Sequence, residues 1–370
     1  MILNDVDAGA ARDELRDVVE AMFDRISPAT GVVHRADAAA AGSIDTELWN
    51  RLNQELGAVG LAVPEEWGGT GATIAEVAVL FEAGGRRLST VPLLGTFLAV
   101  EALVRSGDAA ACQRWVPDLV SGGTAGAFAW PATRVVAAPV GDSWRLSGTV
   151  DLVIDGPTAD LLILPAVTGD GLRLFTVPLE GVRRERRETL DLTRQLGLVV
   201  LEQTPAQRVD VGSDVVELTE VLRDVAATAL ACEQLGVAEQ ALADAVAYAK
   251  EREQFGRRIG SFQAVKHLLA DLATSADLAR SLVEHAVWAA TEQPARRRAA
   301  AAMAILAASA AACFVSGENV QVHGGIGFSW EHPAHLFFRK ARSNAVLLGD
   351  RSFYTDRLLA EIGVLKVEGT

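Results

Sequence analysis

The chain has 370 residues, which is enough for two or three domains with cores of their own. Half of the residues are hydrophobic and the formal net charge is −14, which argues against a nucleic-acid-binding protein, because such proteins need a basic face. The acidic N-terminal residues are not those of a signal peptide, and no apolar run approaches the roughly 20 residues of a membrane span, so we expect a cytoplasmic protein without a membrane segment.

The first third of the chain has a helical pattern that is interrupted by glycine and proline. Apolar residues recur at helical spacing from Asp45 to Leu56, and a second helix is predicted from Ile74 to about Gly84. Between them, the glycines of residues 63–71 disfavour a helix and predict a turn. We therefore predict an N-terminal α-helical domain over residues 1–122.

The middle of the chain changes to a β-type pattern. Residues 144–148 alternate, and the runs 161–164 and 172–177 are short and apolar, with Asp, Gly and Pro between them. This pattern predicts a small β-barrel or β-sandwich domain over residues 123–214.

Long helices rich in Ala and Leu return in the last part of the chain. Their predicted bounds are Leu218–Lys250, Phe262–Thr291 and Arg296–Val322. Neighbouring long helices of this kind favour an up-and-down four-helix bundle, here over residues 215–370. The predicted fold class is therefore α+β, with three domains in the order α, β, α.

The cysteines give no sign of a disulfide framework or a metal site. They are odd in number, widely spaced and set in apolar surroundings, which predicts buried thiols. They are Cys112, Cys232 and Cys313.

The segment from Tyr248 to Gln263 joins two of the long helices and carries more than a helix end requires. We expect the first helix to stop at Gly256, since glycine is a favoured residue after a helix C-terminus. That accounts for Gly256 alone and leaves Arg252, Gln254 and Phe255 unexplained at the same corner.

The segment from Gln321 to Phe328 follows the third long helix and is rich in glycine. Glycines let the backbone approach a bulky anion, and free N–H groups can then cradle phosphate. On its own such a segment is usually an ordinary loop, but its pairing with the first segment favours a ligand.

Together the two segments resemble signatures of the acyl-CoA dehydrogenase family. Residues 248–264 read Tyr-Ala-x-x-Arg-x-Gln-Phe-Gly-x-x-Ile-x-x-Phe-Gln-Ala, and residues 321–327 read Gln-x-His-Gly-Gly-x-Gly. Residues 64–69, Pro-Glu-Glu-Trp-Gly-Gly, are similar to a turn of the family's N-terminal part. The resemblance covers nearly the whole chain.

The resemblance implies an FAD that lies extended across a subunit interface, and hence an oligomer. Both segments would reach the pyrophosphate and adenosine end of the neighbour's FAD, where arginine suits phosphate and phenylalanine packs. The residues carried into cofactor binding are Arg252, Gln254, Phe255, Ile259, Phe262, Gln263, Gln321, Val322, Gly324 and Gly325, with Asp350 as a flavin-side or helix-capping residue. The implied reaction is α,β-dehydrogenation of an acyl-CoA thioester, with hydride transfer to FAD and electron-transfer flavoprotein as the acceptor.

The catalytic base is where the sequence departs from the family pattern. A carboxylate with a raised pKa is needed to remove the α-proton, but the two family positions for it fall on Leu348 and Ala226. Glu233 lies two helical turns beyond Ala226 on the same face and is a lone carboxylate among apolar neighbours. Glu233 is therefore the favoured base, and a structural ion-pair partner is the alternative. Asp350, two residues beyond Leu348, is a further candidate for the base, but a flavin-side or helix-capping role suits it at least as well.

The middle domain also departs from the pattern. The family segment that lines flavin and substrate falls on Trp130–Arg134, and the segment beside the flavin ring falls on Leu152–Ile154, so few polar contacts remain. The half of the FAD site that this chain keeps for itself is thus reduced, and the half donated to a neighbour is intact. The oligomer is either a homo-oligomer or a heterotetramer with a paralogous chain, as in relatives that act on steroid side-chain CoA thioesters.

Three functions remain open from the sequence. The leading one is an FAD-dependent acyl-CoA dehydrogenase of lipid or steroid catabolism. The second is a non-catalytic subunit that completes the FAD site of another chain. The third is a flavin oxidase or monooxygenase, since a fold does not fix a reaction.

Overall fold

The computed structural model describes residues 2–130, 134–141, 143–211 and 213–364. Helices come first, and α3 and α4 are the two that the sequence predicts. Their bounds are α1 (Ile2–Ile26), α2 (Val32–Ala40), α3 (Thr46–Leu56), α4 (Ile74–Arg86), α5 (Leu93–Ser106) and α6 (Ala109–Val120).

Local capping residues explain where α3 and α4 begin and end. Asp45 precedes α3 and its carboxylate accepts the Leu48 N–H at 3.0 Å. Gly57 ends the same helix with φ 59°, a left-handed conformation that glycine adopts without strain. Thr73 and Glu76 form a capping box at the start of α4, so the glycine-rich turn before it leads directly into the helix.

The middle of the chain folds into a closed β-barrel. Its strands are β1 (Gly126–Phe128), β2 (Val136–Val140), β3 (Ser143–Ile154), β4 (Leu161–Thr168), β5 (Gly171–Pro178), β6 (Arg183–Arg186) and β7 (Leu196–Arg208). The ring runs β4–β2–β3–β7–β5 and closes where β5 pairs with β4. Inward-facing side chains such as Leu146, Leu162 and Phe175 fill it. The expectation of a small β-barrel is confirmed, and the domain limits at residues 122 and 214 stay predictions.

The C-terminal region is the expected bundle of long helices. Its members are α7 (Val215–Glu251), α8 (Gln263–Glu292), α9 (Arg297–His323), α10 (Ala334–Leu347) and α11 (Arg351–Glu361). The rings of Tyr248, near the end of α7, and His323, at the end of α9, have centroids 4.3 Å apart. Helices α7 and α9 therefore run in the same direction and α8 returns between them, so the segments after α7 and α9 lie at one end of the bundle.

Helix α4 of the N-terminal region crosses α7 at backbone contact. A Cβ on Gly85 would lie 2.0 Å from the carbonyl oxygen of Glu233, and one on Gly236 would lie 2.0 Å from the carbonyl oxygen of Glu82. Only glycine permits so close an approach. The crossing holds the N-terminal helices against the bundle beside Glu233.

Of the two ends expected for the first long helix, Lys250 is right to within one residue and Gly256 is wrong. Helix α7 ends at Glu251, and β8 (Glu253–Gln254) pairs with β9 (Arg257–Arg258) as a short hairpin. Phe255 and Gly256 form its turn with φ values of 54° and 74°. Two consecutive residues with positive φ are typical of a two-residue hairpin turn, which explains the glycine as well as a helix cap would.

The expectation that no apolar run reaches membrane-spanning length is also corrected. Residues 294–328, which include α9, are long and apolar enough to cross a membrane by composition. More than half of the most apolar stretch is buried against the other helices of this chain, which is how a core helix behaves. Cys112 and Cys232 are buried and Cys313 is half-buried.

Candidate functional site

Glu233 has charged partners from other elements, as the ion-pair alternative expects, although its neighbours on α7 are apolar. Its carboxylate accepts a hydrogen bond from Arg194 and lies 2.9 Å from Lys340 Nζ. Asn344 Nδ2 donates to it at 3.2 Å. Lys340 also contacts Asp191 at 3.5 Å and donates to Thr193 at 3.1 Å. A buried ion network therefore joins α7, α10 and the loop before β7.

The electrostatics of this network oppose the chemistry of a general base. Burial raises the pKa of Glu233, but Arg194 and Lys340 outweigh it and hold the pKa below its ordinary value. A base for α-proton removal needs the opposite shift. The carboxylate is therefore kept ionised and paired, so its role as base, which stays untested, loses its physical support.

The cavity beside Glu233 is too small for an acyl group. It measures about 20 Å³, which is room for about one water molecule. Arg194, Thr193 and Asp155 contribute polar groups to its wall, and the apolar lining comes mostly from α1, α3, α4 and α5. An acyl chain would reach the Glu233 carboxylate only if these walls moved apart.

The other positions considered for the base are apolar or otherwise engaged. Ala226 and Leu348 are both buried, as their side chains would suggest. Asp350 caps α11, and its carboxylate accepts the Phe353 N–H at 2.9 Å. The capping alternative for Asp350 is thus the contact observed, whereas a contact with flavin stays a prediction.

The residues matched to the flavin-lining segments of the middle domain are mostly apolar. Pro131, Ala132 and Thr133 lie outside the described residues. Trp130 packs edge-to-face against Phe128, with ring centroids 5.0 Å apart. Leu152 is 60% exposed with φ 56°, while the following Val153 and Ile154 are buried.

A guanidinium and two rings meet where the barrel joins the bundle. Arg223 of α7 lies over the Trp130 ring at 4.8 Å and over the Phe353 ring at 5.2 Å. One turn further along α7 is Ala226, and Tyr354, beside Phe353, donates to the Leu348 carbonyl oxygen at 3.3 Å. Trp130, which the resemblance links to flavin, is therefore joined through Arg223 to Phe353, near the two positions that the resemblance links to the base.

The hairpin after α7 presents its side chains outward. Arg252 and Gln254 are exposed, and Phe255 is 92% exposed although its left-handed backbone is costly for a bulky residue. The Arg252 side chain has no hydrogen bond or ion pair with another described residue. A free guanidinium beside an exposed ring fits the phosphate and adenosine end of FAD.

The residues that follow the hairpin pack against its side chains. Ile259 and Phe262 are half-buried, and Gln263 is exposed at the start of α8. The Phe262 ring lies edge-on to Phe255 at 6.2 Å and under the Arg257 guanidinium at 3.9 Å. Phe262 therefore anchors the turn on which Phe255 is held out.

The glycine segment after α9 has an open backbone. Gly324 has φ 63°, and a Cβ on Gly327 would lie 2.7 Å from the Val320 carbonyl oxygen. The backbone conformation or packing of this chain therefore favours glycine at both positions. Gly325 has neither a positive φ nor an atom within 4 Å of its Cβ position. The chain itself gives no reason for glycine there, which is expected where an outside group approaches the backbone. Gln321 beside it is exposed and Val322 is half-buried.

Arg194, Lys340 and Asp155 are the residues that sequence reasoning missed. Asp155 is buried, accepts the Gly95 N–H of α5 at 2.9 Å, and burial raises its pKa to about 6. Arg194 lies 39 residues from Glu233 in the chain. No local sequence pattern predicts that Arg194 or Lys340 contacts Glu233. The sequence does place Lys340 on the largely apolar face of α10, which indicates that it needs a buried partner.

Comparisons with known proteins agree over both ends of the chain. Residues 9–123 match the family model for the acyl-CoA dehydrogenase N-terminal domain, and residues 222–362 match the model for the C-terminal domain. Acyl-CoA dehydrogenase IpdE2 of Mycolicibacterium smegmatis is 35% identical over 95% of this chain and 98% of its own length.

Two solved structures are similar over nearly their full length. A variant of the Tcur3481–Tcur3483 steroid ACAD has a TM-score of 0.83 at 33% identity, covering 96% of this chain and 98% of that one. The ChsE4–ChsE5 complex from Mycobacterium tuberculosis has a TM-score of 0.85 at 30% identity, with the same coverage.

Proposed function

This chain belongs to the acyl-CoA dehydrogenase family, and from that premise we propose that it serves acyl-CoA α,β-dehydrogenation as a subunit that grips an FAD shared with a partner chain. Members of the family are FAD-dependent oxidoreductases. FAD, when bound, accepts the β-hydrogen of the acyl thioester as hydride. The contribution of this chain is to hold the pyrophosphate and adenosine end of that FAD, while a carboxylate of the partner removes the α-proton.

The observation that carries the proposal is the state of Glu233. Its carboxylate is paired with Arg194 and Lys340 in a space that admits about one water molecule. Ala226 and Leu348, at the two other base positions, have no acidic group. The proton-removing group is therefore sought in another chain, which favours the second of the three functions left open by the sequence.

The residues proposed to hold FAD lie at one end of the bundle and face away from this chain. Arg252 offers an unpaired guanidinium, Phe255 an exposed ring and Gly325 an open backbone. Gln254 and Gln321 supply further exposed polar groups. Such a set fits a ligand held from outside, as FAD across a subunit interface would be.

The partner we propose is a paralogous acyl-CoA dehydrogenase chain, in a heterotetramer. ChsE4–ChsE5 is named as a complex, and the Tcur3481–Tcur3483 protein as a steroid ACAD. By analogy, the substrate is an acyl-CoA of lipid or steroid catabolism and the electron acceptor is electron-transfer flavoprotein, in the cytoplasm. The fold does not decide between a dehydrogenase and an oxidase or monooxygenase. The names of those relatives favour the dehydrogenase.

Replacing Arg252 tests the FAD-gripping role directly. In the assembly with the partner, Arg252→Ala removes a charge-assisted hydrogen bond to phosphate and should weaken FAD binding about 10- to 100-fold. The affinity is measured by titrating FAD into the apo-assembly and following flavin fluorescence. Arg183→Ala, on the exposed strand β6, is the matched control and should leave it unchanged. Equal FAD affinity in both variants would contradict the proposal.

A further inference from the structure

We propose that Trp130, Arg223 and Phe353 form an internal plug, in which a guanidinium of this chain fills the aromatic slot between barrel and bundle that a planar ring would otherwise occupy. The identity of that ring as flavin rests on the proposed function. The plug itself rests on contacts within this chain. As a consequence, the assembly would hold the flavin ring in the partner chain's half-site and not in the half-site of this chain.

The three residues come from elements far apart in the chain. Trp130 follows β1 of the barrel, Arg223 lies on α7 and Phe353 on α11. The Arg223 guanidinium carbon is 4.8 Å from the Trp130 ring centroid and 5.2 Å from that of Phe353. Both distances are within the range of cation–π attraction, and a guanidinium can also stack flat on a ring.

Within the part of the chain that the structure describes, Arg223 makes two ring contacts and one ion pair, with Glu220. Its Nε is buried and has no hydrogen-bond partner, and the nearest carboxylate oxygen, on Glu220, is 3.6 Å away. The neighbouring Asp224 is instead taken by Arg357 at 2.7 Å and Arg297 at 3.3 Å. Arg223 is thus not needed to neutralise Asp224, and its position is set by the two rings.

The plug lies where the positions matched to the catalytic site of the family converge. Trp130 begins the segment matched to the family's flavin-lining residues. Arg223 lies three residues before Ala226, a position where the family has its base but this chain has no acidic group. Phe353 is next to Tyr354, whose hydroxyl donates a hydrogen bond to the carbonyl oxygen of Leu348. Leu348 is the other base position of the family and also has no acidic group here. A guanidinium held there takes the space of a planar ligand and closes this chain's own half of the site.

Removal of the guanidinium should open the slot and allow chemical rescue. For the full chain, Arg223→Ala should lower the melting temperature by about 2–4 °C, and methylguanidinium at low millimolar concentration should restore it, whereas sodium chloride at equal concentration should not. Arg114→Ala is the matched control, because Arg114 lies over Trp115 at 4.6 Å but on the exposed surface of α6. The control should show neither the loss nor the rescue. If Arg223→Ala is insoluble, Arg223→Lys, which keeps the charge without the planar face, should melt below the wild type while Arg114→Lys does not.

Flavin content separates this inference from the proposed function. In the assembly with the partner, Arg223→Ala should hold at least the wild-type ratio of FAD to protein, because the plug touches no bound flavin and its removal only opens a slot. A melting temperature unchanged relative to Arg114→Ala and the absence of rescue would overturn the plug, and so would loss of FAD on substitution of Arg223. If the wild-type assembly contains no FAD, the proposed function fails, but the rescue result still decides whether the plug exists.

Discussion

At the scale of single residues, the surroundings of Glu233 decide its chemistry. Arg194, Lys340 and Asn344 all contact its carboxylate in the interior. A buried ion pair need not stabilise a protein more than apolar side chains of the same volume would. Removing one partner is nevertheless costly, because the other charge stays buried and uncompensated. Glu233 therefore ties α7 to α10 and to the loop before β7.

Glu233→Gln should destabilise the chain without silencing the assembly. Loss of the carboxylate leaves Arg194 and Lys340 short of a counter-charge, which should lower the free energy of unfolding by about 3 kcal/mol. Urea denaturation measures the loss, and Glu180→Gln, at an exposed position of the barrel, is the control. Turnover per folded assembly should stay at the wild-type level. Loss of turnover with FAD still bound would instead return Glu233 to the role of base.

The pH dependence of stability follows from the direction of the pKa shift of Glu233. Its pKa in the folded state lies below the ordinary value of 4.5, so the stabilisation is fully present above pH 4.5 and is lost as the pH falls through the folded-state pKa. The difference in unfolding free energy between wild type and Glu233→Gln should therefore shrink below pH 4.5. Urea midpoints of both proteins across the acid range measure it. A difference that is constant or grows toward acid would disprove the ion network.

At the scale of elements, the crossing of α4 and α7 places Glu233 against the N-terminal helices. Gly85 and Gly236 allow the two backbones to touch, since a Cβ on either would lie 2.0 Å from a carbonyl oxygen of the other helix. The two helices cannot separate to admit a side chain without shifting the Glu233 network. Both helices line the small cavity beside Glu233, so their contact helps to set its size.

Neighbouring glycines of α4 should respond in opposite ways to alanine. Gly85→Ala forces α4 away from α7 and should cost about 3 kcal/mol or more of unfolding free energy. A Cβ on Gly84 makes an ordinary 3.7 Å contact, so Gly84→Ala should be neutral or stabilise by up to about 1 kcal/mol through helix propensity. Denaturant unfolding of the two variants checks this pair. Equal stabilities would show that the helices do not cross at backbone contact.

The elements show what a sequence can predict and where it stops. Apolar spacing and capping residues are local, so α3, the three long helices and the barrel strands could be predicted from the sequence. The hairpin after α7 was missed because Gly256 suits a helix end and a hairpin turn equally well. The partners of Glu233 were missed because Arg194 and Lys340 become its neighbours only through the packing of distant elements.

At the scale of the whole molecule, the two halves of the expected FAD site differ in kind. The surface proposed to reach a partner's FAD, around the hairpin and Gly325, is exposed, while Trp130, Arg223 and Phe353 contact one another where the proposal places this chain's own half-site. On the proposed function, the exposed half acts only when another chain brings the flavin ring. The net charge of −14 leaves the exposed Arg252 as a local cation in an acidic protein, as an anionic cofactor requires.

The flavin content of purified protein, with and without the partner, tests this account most directly. The chain purified alone should lack flavin absorbance, because its own half-site is filled. Co-expressed with a paralogous acyl-CoA dehydrogenase chain from the same genome, it should purify as a yellow assembly with one FAD for each pair of chains, and the flavin should bleach anaerobically with an acyl-CoA. A chain that is yellow when purified alone and is bleached by an acyl-CoA would contradict the account.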